Sequence, residues 1–310
     1  MFPAQFRRLG ERLRQRLPKV GVGIDVGRSA VRVAVLRRGP AGTELLGLAS
    51  SPVDAQTAAG PAPGVLRDVV RRACRSAYCW PIRVAMAVPA NAVVARPVPV
   101  DAGAADEEVA EAIERAARQL PVAQADLRLA SVPLGPAAVL MVAARREAVL
   151  ARQHLAARAG IGRVMVDVDL FAVMGAIAPA DAGGPAGACV VVDAGLDSVR
   201  AVAWAPGLAP VLRVLPVPQT CGSVGLVERI AEAVGGLVPA GMPSASALFL
   251  AGGRALDASL TPAVTARTGD PCRCAEPFTG LQDPQGLALL PDGVAALWPC
   301  AIGLARRALA

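Results

Sequence analysis

The chain has 310 residues, 54% apolar and only 3% aromatic, with a formal net charge of +7. That length permits a sizeable core, divided between two domains and built mainly from Val, Leu and Ala. The charge is concentrated at the start, where Arg7, Arg8, Arg12, Arg14, Arg16 and Lys19 stand against Glu11. The remainder is close to neutral, which argues against a general nucleic-acid binder.

In the opening segment, Phe2, Phe6, Leu9, Leu13 and Leu17 recur at spacings of three or four, and Pro18 closes the run. The pattern predicts a basic amphipathic helix over 1–19. Such a segment suits an anionic lipid surface or partner, packing on its own domain, or a frayed tail. The basic start is not followed by an unbroken apolar run, so no secretory signal is predicted. No stretch of eighteen apolar residues predicts a membrane span. The seven cysteines include no C-x-x-C pair, and Cys272 and Cys274 lack a second pair at zinc spacing. They read as reduced thiols of a cytoplasmic protein.

The stretch GVGIDVGRSAVRVAVLRRG, residues 21–39, reads as a strand, a tight turn after Asp25 and a second strand. No helix follows the glycine, as a dinucleotide or P-loop motif would require. A turn, a short strand and a small-residue linker fill 40–64, and a helix is predicted over Val65–Ser76. Residues 82–100 read as two strands broken at Pro89. Asp106 is expected to cap a helix running to Leu120, stopped by Pro121. Strands follow near Leu127–Val132 and Ala138–Ala144, then a helix from Arg146 to Ala159 that ends at Gly160. Residues 163–169 form a strand, Leu170–Ile177 a helix and 179–187 a loop. Strands alternating with helices indicate an α/β fold.

The hairpin then recurs. ACVVVDAGLDSVRAVAW, residues 188–204, aligns with residues 20–36 at an offset of 168, placing Asp25 on Asp193, Gly27 on Gly195 and Arg32 on Arg200. Glycine at these turns lets backbone N–H groups face phosphate oxygens, and Ser29, Asp197 and Ser198 add side-chain donors or acceptors. Asp25 and Asp193 are the candidate positions for Mg²⁺ and its waters. A single Asp-x-Gly turn is ordinary hairpin chemistry; two in register point to facing phosphate loops. ALFLAGGR, residues 247–254, adds a strand ending in Gly252 and Gly253, a place where backbone can approach an adenosine.

This order of hairpin, hairpin and strand–Gly–Gly resembles the actin-like ATPase superfamily, and within it the PilM family of type IV pilus assembly. The resemblance is carried by GIDVGRSAVR (23–32), AVPANAVVARPV (87–98), EEVAEAIERAARQLP (107–121), VLMVAARREAV (139–149), AGIGRVMVDVDLFAV (159–173), VVVDAGLDS (190–198), LAGGRAL (250–256), EPF (276–278) and WPCAIGLARRAL (298–309). It implies duplicated ribonuclease H-like domains at 20–177 and 188–310, with a small α/β subdomain inserted at about 50–144 and a reduced insertion in the second domain. It also implies ATP and Mg²⁺ in the cleft, held by Asp25, Gly27, Arg28, Ser29, Asp193, Gly195, Asp197, Ser198, Gly252 and Gly253. The implied role is that of a cytoplasmic adaptor peripheral to the inner membrane. It would bind the N-terminal cytoplasmic segment of a PilN-like protein in a groove beside the insertion and reach the motor ATPases indirectly.

The chain departs from the family pattern in three places. Arg28 stands where a small residue is usual, Cys221-Gly222 stands where Gly-Gly is expected, and only Gln219–Ala247 separates the second hairpin's sheet from the Gly-Gly strand. No catalytic residue is assigned. His154, the single histidine, lies mid-helix away from all three motifs. Alternative readings are an active ATPase or kinase-like enzyme of the same fold, or the equivalent component of a related secretion or DNA-uptake system.

Overall fold

The computed structural model describes residues 19–54, 60–76, 83–177, 188–205, 208–218, 220–237, 247–291 and 293–310. The predicted basic segment at 1–19 lies outside it apart from Lys19, as does the predicted loop 179–187. Both Asp-x-Gly turns join antiparallel strands. In the first, β1 (Val20–Val26) pairs with β2 (Ala30–Gly39), and β2 with β3 (Gly42–Pro52). The second repeats this with β9 (Cys189–Ala194), β10 (Ser198–Trp204) and β11 (Val211–Pro216).

Each triplet is extended by parallel strands into a five-stranded sheet. The first has the order β3-β2-β1-β4-β8, with β4 at Arg83–Val88 and β8 at Met165–Val168. The second has the order β11-β10-β9-β12-β13, with β12 at Ala247–Ala251 and β13 at Cys272–Cys274. The three-plus-two pattern, occurring twice, is the actin-like duplication that the resemblance implies.

The alternation V-G-V-G-I in β1 has a packing cause. Val20, Val22 and Ile24 enter a core with helix α1 (Pro63–Ser76) and residues of α3 (Arg146–Arg158). Gly21 and Gly23 face the other way, against the C-terminal helix α7 (Pro299–Leu309). A Cβ on Gly23 would stand 2.0 Å from the carbonyl oxygen of Ala301, so only glycine admits the helix. Helix α4 (Asp169–Ile177) lies against α7 where Gly303 meets Ala172, and a Cβ at 303 would be 1.8 Å from the Ala172 oxygen. Val173 and Leu304 share one core with Ala85 and Val88 of the first sheet and Val191, Val202 and Ala251 of the second. Helices α4 and α7 are therefore the layer between the two sheets. Helices α5 (Ser223–Val234) and α6 (Leu260–Thr268) contribute Leu226, Ile230, Leu260 and Val264 to the second sheet's other core.

A third sheet stands apart. It has the order β5-β7-β6, with β5 at Val93–Pro99, β6 at Leu127–Gly135 and β7 at Ala138–Arg145. Helix α2 (Asp106–Ala117) packs Ile113, Ala116 and Ala117 on Val98, Val139 and Met141. The expected insertion at about 50–144 also takes in α1 and β4, but β4 pairs with β1 and α1 packs on the first sheet's core. Asp106 is the first residue of α2 and not its cap. Ala105 precedes the helix, and its N–H donates to Glu108 at 2.9 Å. The helix proper ends at Ala117, three residues before the expected Leu120, in a run of single turns. Among the described residues no helix is long and apolar enough to cross a membrane.

Candidate functional site: the cleft between the hairpins

The two hairpin turns are built alike. Gly27 N–H donates to the Ala30 oxygen at 3.0 Å and Gly195 N–H to the Ser198 oxygen at 2.9 Å. The glycine amides are thus spent inside the turns. A Cβ at either glycine would meet that same oxygen at 3.1 or 3.2 Å, so tightness is the reason for glycine. In each hairpin the antiparallel register sets the aspartate opposite an arginine, Asp25 facing Arg32 and Asp193 facing Arg200.

Both turns open on a cleft of about 850 Å³, within the size range of small-molecule sites. All ten residues expected to hold a nucleotide line it: Asp25, Gly27, Arg28, Ser29, Asp193, Gly195, Asp197, Ser198, Gly252 and Gly253. Arg28 and Asp197 reach across from opposite hairpins and pair at 3.1 Å, each about half exposed. Gly252 has φ +91°, and a Cβ there would strike Asp193 Oδ1 at 2.3 Å. This glycine seats the end of β12 against Asp193, whereas nothing lies within 4 Å of a Cβ position at Gly253, which leaves that backbone open to the cleft.

Several residues of the cleft were not singled out from the sequence. Asp169, first residue of α4, is buried; its Oδ1 accepts from the N–H groups of Ala90 at 2.9 Å and Leu170 at 2.7 Å. Arg200 inserts between Asp169 and Asp193, giving one terminal nitrogen to each carboxylate. Arg152 donates from Nε to the Ala87 oxygen at 2.8 Å, and Arg254, next to Gly253, also lines the cleft. Asp25 is 3.7 Å from Arg32 and near the buried Cys300.

The electrostatics follow from burial. Desolvation raises the Asp169 carboxyl to about 6, Arg200 offsetting only part of the effect, and it raises Asp25 as well. Burial works to lower Arg200, but Asp193 and Asp169 outweigh it and hold the guanidinium charged. Burial also pushes the Cys300 thiol well above its ordinary range, which keeps it protonated. Among the described residues no group of three or more acidic, His or Cys side chains is arranged to hold a metal. The carboxylates expected to face Mg²⁺ are each set against a guanidinium, Asp25 by Arg32 and Asp193 by Arg200. A directly held Mg²⁺ does not fit this donor set.

A second, larger recess of about 1060 Å³ lies between the third sheet and the α4–α7 layer. Leu140 and Val142 of β7 line one side and Phe171 and Met174 of α4 the other, with Met165 at the rim. Strand β6, paired only with β7, is an edge along this recess. Arg128 and Arg307 border it, and Arg307 pairs with Asp167 at 3.2 Å.

The sequence profile of the type IV pilus assembly protein PilM matches residues 23–196, more than half of the chain. The chain belongs to the PilM family. The match covers the first hairpin turn and the whole third sheet and ends within the second turn. Among solved structures, the chain is similar to one described as a PilM–PilN type IV pilus biogenesis complex. The TM-score is 0.77 at 20% identity, covering 94% of this chain and 98% of that one. It is also similar to the ethanolamine utilization protein EutJ from Carboxydothermus hydrogenoformans, with a TM-score of 0.54 at 14% identity over 93% and 90% of the two chains. At these identities the likenesses show the fold, an actin-like one. No curated protein sequence matches the chain.

Proposed function

We propose that this protein is an adaptor of type IV pilus assembly. It would bind the cytoplasmic N-terminal segment of a PilN-like inner-membrane protein in the recess between the third sheet and α4–α7. A nucleotide's phosphates would lie in the cleft between the hairpins. The observation that carries the reading is the recess itself, in a member of the PilM family whose fold matches one found in complex with PilN. Its apolar sides can bury alternate side chains of an extended segment, and the β6 edge can supply main-chain hydrogen bonds.

In the cleft, Arg28 and Ser29 stand at the tip of the first turn and Ser198 closes the second, where phosphate oxygens would be met. An adaptor role, with binding rather than turnover, fits the pairing of the aspartates. Asp25 is paired with Arg32, Asp169 and Asp193 with Arg200, and Asp197 with Arg28. Three of these four carboxylates already accept from a guanidinium, which provides poorly for a general base. Through the PilN-like protein the chain would sit at the inner membrane's cytoplasmic face, reaching the motor ATPases indirectly. Residues 2–17 would add contact with lipid. Co-purification of the full chain with a tagged PilN-like N-terminal segment tests the reading. Retention is the expected result, and loss of the segment in a low-salt wash contradicts it.

A further inference from the structure

The cleft carries its own cation. Arg200 lies between Asp169 and Asp193, bonded to both, and its side chain is 23% exposed. Asp169 has no oxygen to spare, because Oδ1 accepts two backbone N–H groups and Oδ2 accepts from Arg200. On Asp193, Oδ2 accepts from Arg200 while Oδ1 abuts the backbone at Gly252. Asp25 faces Arg32. A hydrated divalent ion needs carboxylate oxygens open to its waters; Asp169 and Asp193 each present one to Arg200, and Asp25 has the Arg32 guanidinium 3.7 Å away.

Among the described residues the cleft is lined by five arginines against four aspartates, with no lysine, histidine or glutamate. Its charge therefore already leans positive without a metal. The Arg254 Nε is buried and has no hydrogen-bond partner, and Arg28 is held at the mouth only by an exposed pair with Asp197. Guanidinium groups bind phosphate oxygens by charge-assisted, forked hydrogen bonds.

We propose that this cleft binds nucleoside polyphosphate as the metal-free anion. Arg200 is the fixed counter-cation of the acidic cluster, and Arg28 and Arg254 make the phosphate contacts. The proposal rests on the reading of the cleft as a nucleotide site. Phosphate displaces Asp197 from Arg28, while Arg200 stays between its two aspartates.

Calorimetric titration of the full chain with ATP, once in excess EDTA and once in excess MgCl₂, tests the proposal. The affinity in EDTA is expected to equal or exceed that in MgCl₂, because uncomplexed ATP offers more negative charge to the arginines. An affinity about tenfold or more weaker in EDTA, roughly 1.4 kcal/mol, overturns it. Absence of heat in both buffers removes the nucleotide reading itself and leaves PilN-like binding to be judged by co-purification.

Two variants separate the roles, each first checked for native circular dichroism. Asp193→Asn is expected to keep or raise ATP affinity in both buffers; a loss of about tenfold or more in MgCl₂ that is absent in EDTA contradicts the proposal, since a metal-bridging aspartate would show that loss. Arg28→Ala, at an exposed position, is expected to weaken ATP about tenfold in both buffers alike. An unchanged affinity contradicts the assignment of Arg28.

Discussion

Arg200 joins the two halves of the molecule electrostatically, because Asp169 comes from the α4 layer and Asp193 from the second sheet. Removing one partner of a buried ion pair strands the other charge, which costs about 3–5 kcal/mol. Arg200→Ala is therefore expected to lose about that much stability in urea, and Arg32→Ala less, since its contact with Asp25 is 3.7 Å. Asp169 predicts a pH dependence. With its folded carboxyl at about 6 against an ordinary 3.8, the folded state holds a proton between those values that the unfolded chain has released. Its contribution to stability is greatest below the lower value and falls as pH rises to about 6, by up to about 3 kcal/mol. Asp169→Asn is expected to flatten that part of the stability–pH curve measured by urea unfolding. The aspartates of both turns were legible in the sequence as a repeat, and so was the alignment of Arg32 with Arg200. That each arginine faces its aspartate depends on the two-residue tightness of the turn. That Arg200 also reaches Asp169 depends on the packing of α4 beneath it, which no local pattern reveals.

At the scale of elements, glycine decides where helices lie. Gly303 admits the Ala172 backbone, and Gly23 admits Ala301. In both cases the obstacle to a larger residue is a backbone carbonyl, which cannot rotate aside. Gly303→Ala is expected to destabilise the fold by about 3 kcal/mol or more, the upper end for an overpacked core, lowering the melting temperature. Gly175→Ala, in the same helix layer with nothing within 4 Å of its Cβ position, serves as the control and is expected to be near neutral or slightly stabilising. Hairpins and helices were largely readable from alternation and from Pro or Gly stops, as with the strand break at Pro89 and the helix end at Gly160. The V-G-V-G-I run was legible as a strand, but its glycines are explained only by α7, nearly three hundred residues away in the chain. Likewise Gln282 exchanges backbone hydrogen bonds with Thr43 and Leu45, a tie between distant segments that local propensity does not encode.

For the whole molecule, the duplication was visible as two aligned hairpins, and the structure turns it into two sheets flanking a shared layer of α4 and α7. The recess proposed for the PilN-like segment was not visible in residue patterns. It is assembled from β6 and β7 of the third sheet, β8, α4 and α7, with Trp204, Leu208 and Pro210 also lining it; a groove beside the insertion was expected only from the family resemblance of these segments, not from their alternation or spacing. Its rim residue Met165 is 42% exposed, so changing it disturbs the recess without emptying the core. The most direct measurement is fluorescence anisotropy of a labelled peptide from the N-terminus of the PilN-like protein, titrated with the full chain and with Met165→Glu. Saturable binding to the unaltered chain is expected, with a loss of at least about tenfold on placing a carboxylate at the apolar rim. No binding to the unaltered chain, or equal binding by Met165→Glu, would contradict docking in the recess.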